Sequence, residues 1–465
     1  MKQHLPWLVG GLICAAATPL LHADEKDDRI RALEKQVEGQ NARLQKLEER
    51  LAAQAVQDAT GPKSSAMPLV SVGANGFVMQ SANSNFVLKL KGVLQMDSRS
   101  YTDDGGIKNN DTFLIRRARP ILEGTLFRDF DFRLQLDFGG PGAPTLRDAY
   151  VNYRYSDEFQ LRFGKFKTPV GLEQLTSDSS TMFIERSLVS GITPSRDVGV
   201  QFHGNALDGL VNYAAGVFNG LGDGRASSNV DTDDEKSFAG RIVVFPFQHI
   251  GVRPIQRLGL GVGSSFARPE GAGSLPAGNG FITEGQQQFF TYRTSALAGQ
   301  PNVVADGDHW RVSPQASWYY GRWRAIAEYV LSSQQLRRTD TGLLRALHNR
   351  AWQVAAGCVL TGEDALENGV VPRKNFNPTE NAWGAFEIIA RYSSLDVDDE
   401  AFPRFANPET SASEATAWAV GFNWYLNKNI RAAANFIQTD FRGGRGGAVT
   451  AQDEKVFLTR IQLSF

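Results

Sequence analysis

The stretch "EKVFLTRIQLSF", Glu454–Phe465, ends the sequence. Its large apolar residues are Phe457, Ile461, Leu463 and Phe465, with Thr459 between them. Its polar residues are Lys455, Arg460, Gln462 and Ser464. Alternation of this kind describes an extended strand whose two faces meet different surroundings. A terminal aromatic on such a strand needs a cover. Lipid supplies one if the strand lies in a bilayer, and pairing with the first strand of a closed sheet leaves it no free edge.

The same period of two runs back through most of the chain. In "DFDFRLQLDF", Phe130, Phe132, Leu134, Leu136 and Phe138 oppose Asp131, Arg133, Gln135 and Asp137. In "NFVLKLKGVLQMDSRSY", Phe86, Leu88, Leu90, Leu94 and Met96 oppose Lys89, Lys91, Gln95, Asp97 and Arg99. Sixteen candidate strands follow, near 86–101, 112–127, 130–139, 146–155, 158–167, 196–205, 209–219, 236–246, 257–267, 309–320, 322–334, 348–361, 382–396, 414–426, 429–440 and 454–465. An even number suits a single-chain outer-membrane barrel.

Soluble sandwiches also alternate, but three features favour a membrane. Many candidate strands reach about ten residues, the length of a tilted bilayer-spanning strand. Tight connections ("FRDFD", "YSDEF", "YGRW", "YLNKNI") alternate with long ones such as 168–195 and 268–308. Aromatics gather near strand ends (Trp310, Trp318, Tyr319, Tyr320, Trp323, Trp418, Trp424, Tyr425), as interfacial girdles do. The predicted fold is all-β: a 16-stranded antiparallel transmembrane β-barrel over 86–465, with an N-terminal α-helical coiled-coil segment.

The N-terminal part differs in material. Lys2, the apolar run Leu8–Leu21 and the step from "LLHA" to "DEKDD" predict a signal peptide over 1–23. Over 24–58, Ile30, Leu33, Val37, Leu44, Leu47 and Leu51 keep a three-four spacing, with Gln40 at a polar seam position. That pattern predicts a periplasmic coiled coil. The segment 59–85, which holds "ATGPKSSAMP", is expected to be a linker. A hydrophobic content of 42% and the lack of any later long apolar run exclude a helical membrane protein. A net charge of -1 gives no polyelectrolyte partner such as nucleic acid. Cys358 is the lone cysteine after the leader and is expected to be a packing residue. The histidines are scattered, so no catalytic constellation, metal site or cofactor is predicted.

If the apolar face meets lipid, the other face lines a pore. Lys89, Lys91, Arg99, Arg117, Arg119, Arg133, Arg154, Arg162, Arg241, Arg311, Arg324, Arg391, Arg431 and Arg460 fall in that phase. Fewer acids do: Asp97, Glu123, Asp131, Asp137, Asp148, Glu328 and Glu387. A net basic lumen with low-dielectric walls concentrates anions, although cross-strand pairing of Arg with Asp or Glu is the plainer use of the same residues. The long segment Thr168–Asp197 is too apolar for a surface loop (Leu172, Leu175, Met182, Phe183, Ile184, Leu188, Val189). It either folds into the lumen, with Glu185 and Arg186 at a constriction, or lies over the rim or a neighbouring subunit.

Five stretches together resemble the phosphate-selective porins O and P of Gram-negative bacteria: "FLIRRARPILEGTLFRDFDFRLQLDF", "LRDAYVNYRY", "LRFGKFKTPVGLEQLTSDSSTMFIERS", "VAAGCVLTGEDALENGVVPRKNFNP" and "AWGAFEIIARYSSLDVD". The resemblance implies a sixteen-stranded barrel, a homotrimer, an inward-folded third loop, and an arginine ladder leading to an anion site. By resemblance Arg116 and Arg117 match the double arginine of the ladder, Asp148 the acid near the central site, and Arg186 its arginine. By resemblance, Gln174 stands where phosphate-specialised members carry the first of two lysines and Asp178 lies near the position of the second, and no lysine cluster below the constriction is evident.

The expected function is passive passage of small phosphate-like anions across the outer membrane. Arg99, Arg116, Arg117, Arg119, Arg133 and Arg162 would line the path, and Arg186, oriented by Glu185 or Asp148, would mark the narrowing. Outer-membrane lipid, two further copies of the chain and, through the coiled coil, peptidoglycan are the expected partners. A general or carbohydrate-type diffusion pore, and a closed barrel serving as a scaffold, are the alternatives.

Overall fold

A computed structural model describes residues 31, 35–50, 68–74, 76–102, 110–140, 142–227, 229–231, 234–295, 297, 299–443 and 453–465. Two units are distinct, Met1–Met67 and Pro68–Phe465. In the first, 35–50 is helical, and Val37, Leu44 and Leu47 stand exposed along it. The expected coiled coil is thus present as a helix only, and the predicted signal peptide lies outside the described residues.

The second unit opens with a hairpin, β1 (Leu69–Gly73) and β2 (Gly76–Gln80). Nine wall strands follow: β3 (Val87–Tyr101), β4 (Thr112–Leu126), β5 (Phe130–Asp137), β6 (Thr145–Arg154), β7 (Gln160–Lys167), β8 (Arg196–Ala206), β9 (Val211–Phe218), β10 (Ser237–Val244) and β11 (Leu258–Ala267). The next connection carries the short β12 (Glu270–Gly271), β13 (Gly280–Ile282) and β14 (Gln288–Thr291). Seven more wall strands complete the set: β15 (Val303–Tyr320), β16 (Trp323–Arg338), β17 (Leu344–Val359), β18 (Ala385–Asp396), β19 (Glu414–Tyr425), β20 (Ile430–Arg442) and β21 (Glu454–Ser464). Each wall strand pairs antiparallel with the next, and β21 pairs with β3, so sixteen strands close into a barrel.

Closure accounts for the terminal aromatic. Phe465 N donates to Gly92 O at 3.1 Å, and Gly92 N to Phe465 O at 3.0 Å. A Cβ at Gly92 would collide with the Phe465 ring, which meets Phe77 edge-on at 6.4 Å between centroids. The alternation resolves as expected in β21: Phe457, Ile461 and Leu463 are exposed outward, while Arg460 and Gln462 are buried inward. Each outward Leu or Phe that lipid rather than water covers is worth about 1.5–3 kcal/mol. Trp310 and Trp318 share the outward face of β15. Their spacing is about 20 Å once rise and tilt are counted, close to the height of an outer-membrane apolar band.

Four expectations need correction. The predicted linker holds the β1–β2 hairpin, and β2 pairs with β3 (Phe77↔Leu90). Tyr319 and Tyr425 are not girdle residues. Tyr319 pairs with the inward Arg324, and the buried Tyr425 Oη donates to Glu387 Oε2 at 2.9 Å. The strands expected near 309–320 and 348–361 start earlier, at Val303 and Leu344. Connection lengths do not alternate strictly. Segment 339–343, on the long-loop side, is short, while 360–384, on the tight-turn side, is long and packs through Ala365 and Val370 against Val359, Ala385 and Tyr425.

Candidate functional site

The segment between β7 and β8 enters the lumen. Inward side chains of the wall take up its backbone: Arg431 Nη1 donates to Thr181 O at 2.8 Å, Asn423 Nδ2 to Met182 O at 3.1 Å, and Arg460 Nη1 to Ile184 O at 2.8 Å. Ile184 N in turn donates to Asn435 Oδ1 at 2.7 Å. Buried backbone groups need such partners. Apolar packing completes the anchorage. Met182, Phe183, Ile184, Leu188, Val189 and Ile192 fill the space left by Ala351, Ala355, Ala417, Ala419 and Ala433 on the inward faces of β17, β19 and β20. Where the loop begins it lies against β11, so closely that a Cβ at Gly263 would collide with Val170 O. The loop therefore folds inward, not over the rim.

Arginines on this packed side are committed to partners. Arg460 grips Asp97 through two bonds of 2.7 Å, and Arg324 grips Glu387 at 2.6 and 2.8 Å. Arg311 donates to Asp223 at 2.6 Å, and Arg391 pairs with Glu173 at 3.1 Å and with Glu284. Burial raises the pKa of Glu284, against the pull of Arg391. The inward-phase arginines of β15, β16, β18 and β21 are thus structural, and the ladder expected from the alternation is shorter than its list.

The opposite side is different. At the tight-turn end of the lumen lies a cavity of about 830 Å³. Lys91, Arg119, Arg133, Arg162, Lys167, Arg196, Arg241 and Lys428 line it, against the carboxylates of Asp148 and Asp178. Three lysines therefore reach the space where the sequence shows no lysine cluster, because β3, β7 and the β19–β20 turn bring them together from distant positions.

Two β-bulges shape this side. In β4, Gln95 pairs with Arg117 and Met96 with Ile115, leaving Arg116 as the extra residue. In β6, Gln135 pairs with Asp148 and Leu136 with Leu146, leaving Arg147 extra. A bulge lets consecutive residues turn to one side, which strict alternation forbids. Arg116 and Arg117 both reach the loop, and Arg147 joins Asp148 inside, with Nε 3.6 Å from Asp137.

The structure sorts the eight expected residues into three groups. Arg116 holds Glu185 through bonds of 2.6 and 3.0 Å, and Arg99 lies 3.5 Å from the same carboxylate. Burial opposes the Glu185 charge, but Arg116 outweighs it and holds its pKa well below the carboxylate range. Arg117, Arg119 and Arg186 converge on Asp178. Arg133 bridges Glu123 at 2.9 Å and Asp148 at 3.5 Å, while Arg162 stacks over the Tyr150 ring at 4.6 Å. Arg186 is oriented by Asp178 at 2.6 Å and by the carbonyls of Glu173 and Thr176, not by Glu185 or Asp148 as expected. Asp148 is instead held by Arg196 at 2.7 Å. Arg147, Lys167, Arg196 and the hub role of Asp178 escaped the sequence reading. The first needs the bulge; the others need the loop's position.

A closed sixteen-strand antiparallel barrel with an inward loop and a cation-lined lumen defines a porin of the outer membrane. The chain belongs to the family described as phosphate-selective porin O and P, whose model matches residues 88–465. It is similar to Porin O of Pseudomonas aeruginosa, 27% identical over an alignment of 419 residues, with coverage of 84% of this chain and 91% of that protein. Its fold is similar to that of the outer membrane channel DcaP of Acinetobacter baumannii, with a TM-score of 0.52, 13% identity, and coverage of 84% of this chain and 99% of that one. The trimer form of OmpT from Vibrio cholerae gives a TM-score of 0.50 at 12% identity, covering 82% of this chain and 99% of that one. Membership makes the chain a channel protein rather than an enzyme.

Proposed function

We propose that this porin passes small anions by diffusion, with phosphate or polyphosphate as the leading solutes. The observation that carries the reading is the cavity wall, where eight Lys or Arg side chains face two carboxylates. Low-dielectric walls focus that field, and guanidinium edges grip oxyanions through paired hydrogen bonds. Arg133 and Arg162 attract the anion at the tight-turn end, and Arg119, Arg117 and Arg186 receive it at the loop. Arg99 and Arg116 fix the loop through Glu185. Under a KCl gradient across a planar bilayer, the zero-current potential should take the sign of chloride permeation, and millimolar phosphate should reduce the chloride current.

The second reading is a general or carbohydrate-type diffusion pore. The extensive Arg–carboxylate pairing favours it. A weakly selective current that phosphate leaves unchanged would establish it.

The chain is proposed to work as a homotrimer. The apolar row Val37, Leu44 and Leu47 on the helical segment supports self-association through a coiled coil in the periplasm, with peptidoglycan as a candidate contact.

A further inference from the structure

The cavity wall formed by β6–β9 is built differently from the loop side. Arg162 and Gln201 stand directly opposite each other across β7 and β8, and both line the cavity. Among the described residues, neither side chain makes a hydrogen bond or an ion pair. Gln201 is only 5% exposed, yet its Oε1 is buried without a partner, as is Arg162 Nε. Buried polar groups are ordinarily bonded. An amide and a guanidinium left unbonded side by side on a cavity wall mark a place for polar groups from outside the chain.

Aromatic packing holds this pair in place instead. The Arg162 guanidinium lies over the Tyr150 ring at 4.6 Å and the Phe166 ring at 5.4 Å, and Phe166 meets Phe218 edge-on at 5.6 Å between centroids. Stacking occupies a guanidinium face and leaves its N–H edge open. The neighbouring polar groups are bonded to one another. His203 Nε2 and Asn152 Oδ1 are 2.7 Å apart, and Asn152 Nδ2 donates to Gln160 Oε1 at 2.9 Å. The nearby acid is also committed: Asp148 is held by Arg196 at 2.7 Å and lies 3.5 Å from Arg133.

We propose that Arg162 and Gln201 form a hydroxyl-recognising subsite on the wall, which extends the solutes of this pore to organic phosphates with a hydroxylated body, such as glycerol or sugar phosphates. The inference rests on the anion-pore reading above. A hydroxyl accepts from the guanidinium edge and donates to the amide oxygen, whereas an alkyl chain does neither. A fully ionised phosphate offers acceptors only, so it leaves the Gln201 oxygen without a donor. Its place is with the cations of β3–β5, Lys91, Arg119 and Arg133, across the same cavity of about 830 Å³, which has room for both parts of such a solute. A site whose polar groups need a hydroxyl discriminates against the analogue that lacks it, because those groups are then covered and unpaired.

The test compares two phosphate esters of one chain length, glycerol 3-phosphate and propyl phosphate, as blockers of the chloride current in planar bilayers. They carry the same phosphate group and differ in their hydroxyls. In the native channel glycerol 3-phosphate should block at a concentration about fivefold lower, the size of one net hydrogen bond. Q201L keeps the bulk of the side chain and removes both polar amide atoms, and it should bring the two half-blocking concentrations together. If Q201L does not form a heat-modifiable barrel, R162K reads the same effect: the charge stays, the stacked guanidinium edge goes, and the preference should shrink. Equal block by the two esters in the native channel, or a preference that survives the substitution, overturns the inference. Inorganic phosphate is titrated alongside. A native channel that it does not block and that lacks chloride preference overturns the underlying anion-pore reading instead, so the two failures are told apart.

Discussion

The lumen has two arcs that use the same residue types to opposite ends. The arc formed by β16–β21 is lined by alanines, amides and arginines bonded to carboxylates or to the loop backbone, and the inward loop fills it. The arc formed by β3–β10 has bulges, stacked or partly paired arginines, and the open cavity. What differs is what holds the guanidinium groups. Arg460 spends its donors on Asp97 and Ile184 O, whereas Arg162 lies over an aromatic ring with its Nε unpartnered among the described residues. A charge that has spent its donors holds a structure together; a charge with donors to spare can hold a passing ligand.

Substitutions should break the two arcs in different currencies. The largest stability loss is expected from D97A, which strands the fully buried Arg460. Breaking such a pair costs about 3–5 kcal/mol, read as a lower urea midpoint for the barrel in lipid vesicles. Next is F183A. Phe183 is 1% exposed and lies under the Arg391 guanidinium at 4.2 Å, so its loss should cost about 3 kcal/mol. It should also free the loop and raise single-channel conductance. R162A gives up the stacking over Tyr150 and should cost only about 1 kcal/mol of stability, yet shift the zero-current potential away from chloride.

Acid should separate the arcs less. Asp178 is buried, which opposes its charge, but Arg186, Arg117 and Arg119 hold its pKa well below the usual range, and Glu185 is shifted the same way. A depressed folded-state pKa adds stability that is fully present above the unfolded value, about 4, and is lost only as pH falls through the folded one. Loop docking, read as steady single-channel conductance, should therefore hold from pH 8 down to about 5. The smallest effect is ionic: anion preference should weaken between 0.1 and 1 M salt as the screening length falls from about 10 to about 3 Å.

The arcs also differ in how far the sequence disclosed them. Period-two alternation located all sixteen wall strands, because membrane and water impose opposite polarity on successive residues. It misplaced what depends on breaking that rhythm. Arg116 and Arg147 sit at bulges, and a pattern that advances one face per residue cannot put Arg116 and Arg117 together. The β1–β2 hairpin went unread, although Val70 and Val72 alternate before Asn75–Gly76, a tight-turn pair. The apolar content of 168–197 pointed to burial without saying where. Only the alanines on the inward faces of β17, β19 and β20 explain it, and in the sequence they look like weak strand residues. Asp178 stood out as a departure from a family pattern, but its four arginine neighbours come from three separate parts of the chain.

The most direct test of the two-arc account neutralises the open arc alone. In R133A/R162A/R241A, Glu123 and Asp148 remain while three cavity cations are removed. Under a KCl gradient the native channel should show a chloride-signed zero-current potential, and the triple variant should fall to zero or cross to the potassium side. A triple variant as chloride-selective as the native channel would contradict the account.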